Sequence, residues 1–238
     1  MKGIIDIHNH ILFSLDDGAR TIDDSMKMID EEYRQGVRKI IFTPHYWPGV
    51  YQNDLSRVKR KYDELIIKVK EKYSDMECYL GNEILYTEDV VDLVEKEKVY
   101  SMAGSEYLLV EFMPGIDYHV LETRLKKILI SGYKPIVAHC ERYKCLLNNI
   151  PRTKHLVDVG AYLQVNADSI YTFKYKGFVK KIIDNDCLHF IATDAHDLKN
   201  RSVTFEKCLK SLEKKYSDEY ISWLLIENPQ KVIDNQLI

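Results

Sequence analysis

Seven short runs rich in Ile, Val, Leu, Phe and Tyr, at 4–7, 37–43, 77–81, 107–111, 135–139, 161–165 and 188–193, alternate with longer helix-like stretches. The clearest of those stretches, about 54 to 73, carries Leu55, Val58, Tyr62, Leu65, Ile66, Val69 and Tyr73 at three- and four-residue steps, the spacing of a helix face that packs on a sheet. Strands that alternate with helices need right-handed crossovers, so the sheet they form is parallel, whether open or closed. Thr21 with Asp24 three residues on reads as a helix start. Gly36, Gly132 and Gly160 each stand between a helical pattern and the next strand, as C-terminal caps do. Beyond the seventh run, 202–216 and 218–234 read as further helices.

No linker, low-complexity tract or composition break divides the chain. At 238 residues, 45% of them hydrophobic, one α/β barrel can bury a continuous core, so a single domain over 1–238 is expected. The net charge of −3 and the scatter of lysines through helical stretches such as 59–72 leave no footprint for nucleic acid. Five cysteines without a CxxC pair suit reduced, mostly buried thiols of a cytosolic protein. The N-terminal segment meets Asp6 too early for a signal-peptide core, and no apolar run approaches membrane-spanning length. A soluble, cytoplasmic protein without direct membrane insertion is expected.

The ends of the apolar runs carry the chemistry. His8 and His10 close the first, and side chains two apart on a strand point the same way. The second runs into Thr43-Pro44-His45, the third into Gly81-Asn82-Glu83, the fourth ends at Glu111, the fifth at His139, and the seventh leads into Asp194-Ala195-His196. Singly, Glu83 or Glu111 can cap a helix, His45 can be a turn residue and Asp194 an N-cap. Together, six of seven strand ends offer a ligand, and in a parallel βα barrel those ends converge on one face. Acids and imidazoles so gathered repel one another or shift their pKa values unless cations neutralise them. The donors are nitrogen and oxygen without thiolate, which argues against structural zinc and toward Mn, Fe, Mg or a catalytic zinc-like site.

These motifs, with Asp16-Asp17-Gly18-Ala19, Ala138-His139-Cys140-Glu141-Arg142-Tyr143 and Gln164-Val165-Asn166-Ala167, give the whole chain a resemblance to a known group. The chain resembles the polymerase and histidinol phosphatase (PHP) superfamily, particularly its manganese-dependent bacterial tyrosine-protein phosphatases of the CpsB/CapC capsule type. The resemblance implies a distorted TIM-like (β/α)7 barrel with its metal site at the C-terminal strand ends. It implies the ligands His8, His10, Asp17, His45, Glu83, Glu111, His139, Asp194 and His196 around three divalent ions, most often manganese, with iron, zinc, cobalt or magnesium as alternatives. The choice of Asp17 over Asp16 rests on the resemblance and not on spacing. It also implies phosphate-binding arginines, Arg142 and Arg201, which follow His139 by three residues and His196 by five.

The implied reaction is hydrolysis of phosphotyrosine, on a bacterial tyrosine autokinase that regulates capsular or exopolysaccharide synthesis. Metal coordination lowers the pKa of water from about 15.7 to near 7, so hydroxide can attack phosphorus. A cysteine route is excluded on spacing, because no cysteine is followed by an arginine six positions later. Histidinol-phosphate phosphatase is the alternative within the superfamily. A non-catalytic metal-binding module and a nuclease are further readings, disfavoured by the full ligand set and by the negative charge. The loop 46–51, Tyr-Trp-Pro-Gly-Val-Tyr, either flanks a phenyl ring or packs on its own barrel. His119, His155 and His189 fall outside the pattern and are expected to be structural or superficial.

Overall fold

A computed structural model describes residues 1–238. Nine strands form, β1 Ile4–Asp6, β2 Val37–Phe42, β3 His45–Tyr46, β4 Glu77–Leu80, β5 Glu83–Leu85, β6 Tyr107–Glu111, β7 Lys134–Val137, β8 Tyr162–Asn166 and β9 Phe190–Ala192. They lie in two sheets, ordered β1-β2-β4 and β3-β5-β6-β7-β8-β9, and every strand pair is parallel. The fold is α/β with a curled parallel sheet.

The count differs from the seven expected runs because two of them are each followed by a further short strand. Pro44, with no N–H to give a ladder, separates β2, in the second run, from β3. Gly81-Asn82 separates β4, in the third run, from β5. Backbone bonds carry the pairing across both breaks, with Gly81 N donating to Phe42 O and Glu83 N to Pro44 O. At the other edge Asp194 N donates to His8 O and His10 N to Ala195 O, each at 2.8 Å, which ties the end of β1 to the end of β9.

The helices are α1 Ile22–Arg34, α2 Leu55–Lys72, α3 Val90–Glu95, α4 Tyr118–Ile130, α5 Ile150–Asp158, α6 Lys176–Asp184, α7 Phe205–Leu212, α8 Asp218–Ser222 and α9 Asn228–Ile233. Thr21 caps α1 in a reciprocal box with Asp24, as its spacing predicts. Gly36, Gly132 and Gly160 all take positive φ, and at Gly36 a Cβ would come within 2.5 Å of Met1 O. The last expected helix, 218–234, is interrupted by a π-turn over Trp223–Glu227, directly before Pro229, whose missing N–H breaks the regular ladder.

Alternation along the strands separates two apolar clusters. Ile4, Ile40, Leu108, Val137, Leu163 and Ile191 join a 52-residue cluster that includes apolar residues of α1, α2, α4, α5, α6 and α7. Their neighbours Ile5, Ile41, Leu109, Ile136, Tyr162 and Phe190 join a separate 12-residue cluster. On this second face the side chains turn polar toward the strand ends. Tyr107 and Leu109 lead to Glu111, Tyr162 to Gln164 and Asn166, and Phe190 and Ala192 to Asp194. Cys140, Cys187 and Cys208 are buried fillers in the larger cluster, and all five thiols are free.

Candidate metal centre

The nine side chains expected as ligands come from seven places in the chain and meet at one end of the strands. His8 and His10 follow β1, His45 opens β3, Glu83 opens β5, Glu111 ends β6, and His139, Asp194 and His196 follow β7 and β9. Asp17 arrives on the loop before α1. That loop is drawn tight to the strand because Gly18 sits where a Cβ would lie 2.0 Å from His10 O. No larger residue fits there.

Three overlapping groups of donors result: His10, Asp17, His45 and His196; His8, His10, Glu83 and Asp194; and His45, Glu83 and Glu111. Glu83 Oε2 lies 3.2 Å from His8 Nε2, 3.2 Å from His10 Nε2 and 3.0 Å from His45 Nδ1. His10 Nε2 and Asp194 Oδ1 are 3.4 Å apart, as are His196 Nε2 and Asp17 Oδ1. Ligand bonds of about 2.1 Å meeting at angles between a right angle and a tetrahedral one put neighbouring donors about 3.0–3.4 Å apart. The observed separations fit that edge length. His139 Nε2 completes the cluster, 2.7 Å from Glu83 Oε1.

Seven donor atoms of these side chains are buried and lack a hydrogen-bond partner: His8 Nε2, His10 Nε2, His45 Nδ1, Glu83 Oε2, Glu111 Oε1, His139 Nδ1 and His196 Nε2. Buried polar atoms normally find partners, and leaving one unpaired costs about 1–3 kcal/mol. His139 Nδ1 aside, whose ring meets the cluster through Nε2, these orphans gather in the donor groups, the pattern that divalent cations relieve, so the residues present fit a metal centre.

The electrostatics agree. Burial disfavours the charged form of His45, but the Glu83 and Glu111 carboxylates outweigh it and push the imidazole up to about 9. His196 goes the other way, lowered to about 4 by burial and by His10. Burial also opposes ionisation of Glu83 and Asp194, yet facing imidazoles, and for Asp194 the Arg142 guanidinium, hold both well below the usual carboxylate range. Opposed shifts among touching groups mark a cluster short of positive charge.

Neighbours outside the cluster fix which ring nitrogens point inward. His10 Nδ1 lies 2.7 Å from Asp16 Oδ2, which also accepts the His45 backbone N–H. Asp16 therefore orients imidazoles, whereas Asp17 faces His45 and His196. Gln164 Oε1 lies 3.1 Å from His8 Nδ1 and accepts the His139 backbone N–H at 2.7 Å. Asp194 Oδ2 accepts from Asn166 Nδ2 at 2.8 Å and from Arg142 Nη2 at 2.6 Å, and both its oxygens accept from Arg201 Nη2. Both arginines thus meet at one carboxylate of the cluster. His139 and Asp194 hold positive φ of 34° and 52°, a strained backbone for such residues that the surrounding bonds maintain.

Beneath the cluster lies a second buried set that sequence reasoning missed. Asp6 accepts from Thr193 N and Thr193 Oγ1 and from Asn9 Nδ2, and Glu32 faces it from α1. Burial, and then Asp6, push the Glu32 carboxyl well above its ordinary range. The roles of Gln164 and Asn166 were also missed, although two polar residues of like parity inside the apolar run 161–165 and its end are a signal for them. In the aromatic loop Tyr46 is buried, while the Tyr51 ring stacks on His45 at 5.7 Å and 10°. His119 is exposed, His155 meets Glu122 at the surface, and His189 Nδ1 accepts the Leu163 N–H.

Comparison with known proteins places this geometry in a family. The family model described as "Capsular polysaccharide synthesis, CpsB/CapC" matches residues 4–234. The chain is 34% identical to tyrosine-protein phosphatase CpsB of Streptococcus pneumoniae, covering 99% of this chain and all of that protein. It is 33% identical to tyrosine-protein phosphatase YwqE of Bacillus subtilis, covering 99% of this chain and 93% of that one. A solved structure from work on YwqE and CpsB, described as unique metal-dependent tyrosine phosphatases, superposes with a TM-score of 0.90 at 32% identity, over 99% of this chain and 96% of that one. A phosphotriesterase homology protein from Escherichia coli, with phosphate in its active site, shares the fold alone at a TM-score of 0.64 and 13% identity. The chain belongs to the CpsB/CapC family.

Proposed function

We propose that this protein is a metal-dependent phosphotyrosine-protein phosphatase, a single domain over residues 1–238. In this reading β2 with β3, and β4 with β5, are each one broken strand of a distorted (β/α)7 barrel, and the active site lies at the C-terminal strand ends. The observation that carries the reading is the convergence of nine His, Asp and Glu side chains, seven of them with a buried unpaired atom, beside the Asp194 carboxylate held by Arg142 and Arg201. Three divalent ions, manganese foremost, match the three overlapping donor groups. Such ions supply acidified water and offset the charge that gathers on phosphate oxygens.

The chain's own residues do the rest. Arg142 and Arg201 present planar forks on the Asp194 side of the cluster, suited to gripping phosphate oxygens two at a time. Asp16 and Gln164 keep His10 and His8 in the ring orientation that aims Nε2 inward. A cavity of about 420 Å³ beside Asp17 and His196, lined also by Gly18, Arg20 and Leu198, leaves room for the phenyl ring and its peptide. Tyr51, stacked on His45, stands beside the metal centre. No cysteine competes for the role of nucleophile, since burial pushes all five thiols up, away from the reactive thiolate.

The substrate is read as a phosphotyrosyl protein of capsular polysaccharide synthesis from the family's description and the names of its members, and its identification as a cytoplasmic tyrosine autokinase rests on the resemblance alone. No helix is long and apolar enough to cross a membrane. No observation favours histidinol phosphate, and the relatives compared are named for tyrosine phosphatase activity. The test is a panel of a phosphotyrosyl peptide, a phosphoseryl peptide, histidinol phosphate and DNA, offered to the manganese-loaded protein. Preferred turnover of the phosphotyrosyl peptide is expected, and preferred turnover of histidinol phosphate would overturn the assignment.

A further inference from the structure

A second cavity, of about 220 Å³, shares Asp194 and its arginine partners Arg142 and Arg201 with the metal centre and reaches Lys207 on α7. Its wall is almost wholly polar, with Asn166, Thr172 and Thr204 among the lining residues. It brings four cations, Arg142, Lys199, Arg201 and Lys207, against two acids, Asp168 and Asp194, a net local charge of +2 in a chain whose total is −3. Asp194 is already bonded to both arginines, so Asp168 alone opposes the lysines. Lys210, one turn along α7, is paired with Glu206, whereas Lys199 and Lys207 have no acidic partner. The Thr204 hydroxyl is buried there without a hydrogen-bond partner. Unpaired cations grouped in a concave polar site focus their field and draw anions to it.

Resting on the phosphatase reading, we propose that this cavity is a second anion subsite. It receives a carboxylate or second phosphate carried by the same peptide whose phosphotyrosine enters the metal centre. The shared arginines set the two anions side by side, so the subsite selects phosphotyrosines that have an acidic group nearby. Lys207 is the residue through which to test it, because it lines this cavity and not the one beside Asp17.

The experiment measures kcat/KM of the manganese-loaded protein on para-nitrophenyl phosphate and on three phosphotyrosyl peptides, with neutral flanks, with flanking glutamate, and with a second phosphotyrosine. A partly exposed ion pair is worth up to about 1 kcal/mol, so the acidic peptides should exceed the neutral one by about fivefold at low salt, and less as salt is raised. Lys207→Ala should remove most of that preference and Lys207→Glu should reverse it, with para-nitrophenyl phosphate turned over at the wild-type rate by both. The glutamate and phosphate arms tell which anion the site prefers. An absent preference in the wild type, or one that survives both variants, overturns the subsite while leaving the phosphatase reading intact. Failure to turn over any of the four phosphoesters removes the phosphatase reading, and the subsite falls with it.

Discussion

Two sets of buried carboxylates, Glu83 with Asp194 and Asp6 with Glu32, behave in opposite ways. Glu83 and Asp194 have side chains at most 1% exposed, yet facing imidazoles and guanidinium groups hold them ionised. Asp6 and Glu32 are as deeply buried, but there desolvation dominates and both carboxyls are raised, Glu32 strongly. The difference lies in the neighbours and not in the burial. The upper set has more lone pairs than protons and suits cations. In the lower set burial and the neighbouring acid favour a neutral Glu32, which can share its proton with Asp6, and Thr193 ties α1 to the strand ends.

The comparison breaks most visibly at Glu83, whose carboxylate faces His8, His10, His45 and His139. Glu83→Gln should lower phosphotyrosine turnover by about 1,000-fold or more and reduce bound metal, since even outer neighbours of metal ligands are worth about 10–100-fold. Elemental analysis alongside kinetics checks both effects. In the lower set the corresponding change acts on stability. Glu32→Ala should cost about 3–4 kcal/mol by urea denaturation, through a lost hydrogen bond and a cavity, while Glu32→Gln, which can still donate to Asp6, should cost under about 1 kcal/mol. Equal losses for the two variants would show that Asp6 and Glu32 do not share a proton.

His189 lies outside both sets and calibrates the effect of burial alone. Burial lowers its pKa from the ordinary 6.5 of an imidazole to about 4. The unfolded chain therefore binds a proton that the native chain refuses. The associated stability is whole above pH 6.5 and is lost as the pH falls through 4, by about 3 kcal/mol at 1.36 kcal/mol per unit. The gap between wild type and His189→Asn across that window reads it, and a gap independent of pH would refute it. The smallest effect is expected at Gln164, which touches the cluster only through His8 and His139. Gln164→Ala should weaken metal affinity by about tenfold with little change in kcat at saturating manganese.

Much of the candidate site was legible because acids and imidazoles at strand ends follow directly from the alternation of the chain. His8 and His10, Glu111 and Asp194 each terminate an apolar run, and a parallel sheet brings such ends together. Asp17 was legible only through the resemblance. Its separation from Asp16 depends on a loop held by Gly18 against His10, which no spacing rule encodes. The breaks at Pro44 and at Gly81-Asn82 were readable as punctuation but not as two extra strands, because hydrogen bonds from the neighbouring strands decide whether pairing resumes. Glu32 was invisible for another reason. A helix carries acids on its solvent face as a rule, and only the tertiary fold turns this one, among Asp23, Asp24, Asp30 and Glu31, inward to Asp6. The left-handed backbone of His139 and Asp194 likewise comes from the surrounding bonds and not from residue type.

The central claim, that these nine side chains gather around shared divalent cations to hydrolyse phosphotyrosine, is tested most directly by stripping and restoring metal. The protein is dialysed against chelator, titrated with manganese, and followed at each step by elemental analysis and by hydrolysis of a phosphotyrosyl peptide. The account predicts that turnover vanishes with the metal and returns as occupancy approaches three ions per chain, one for each overlapping donor group. Turnover undiminished in metal-free protein, or a chain that takes up no manganese, would contradict it.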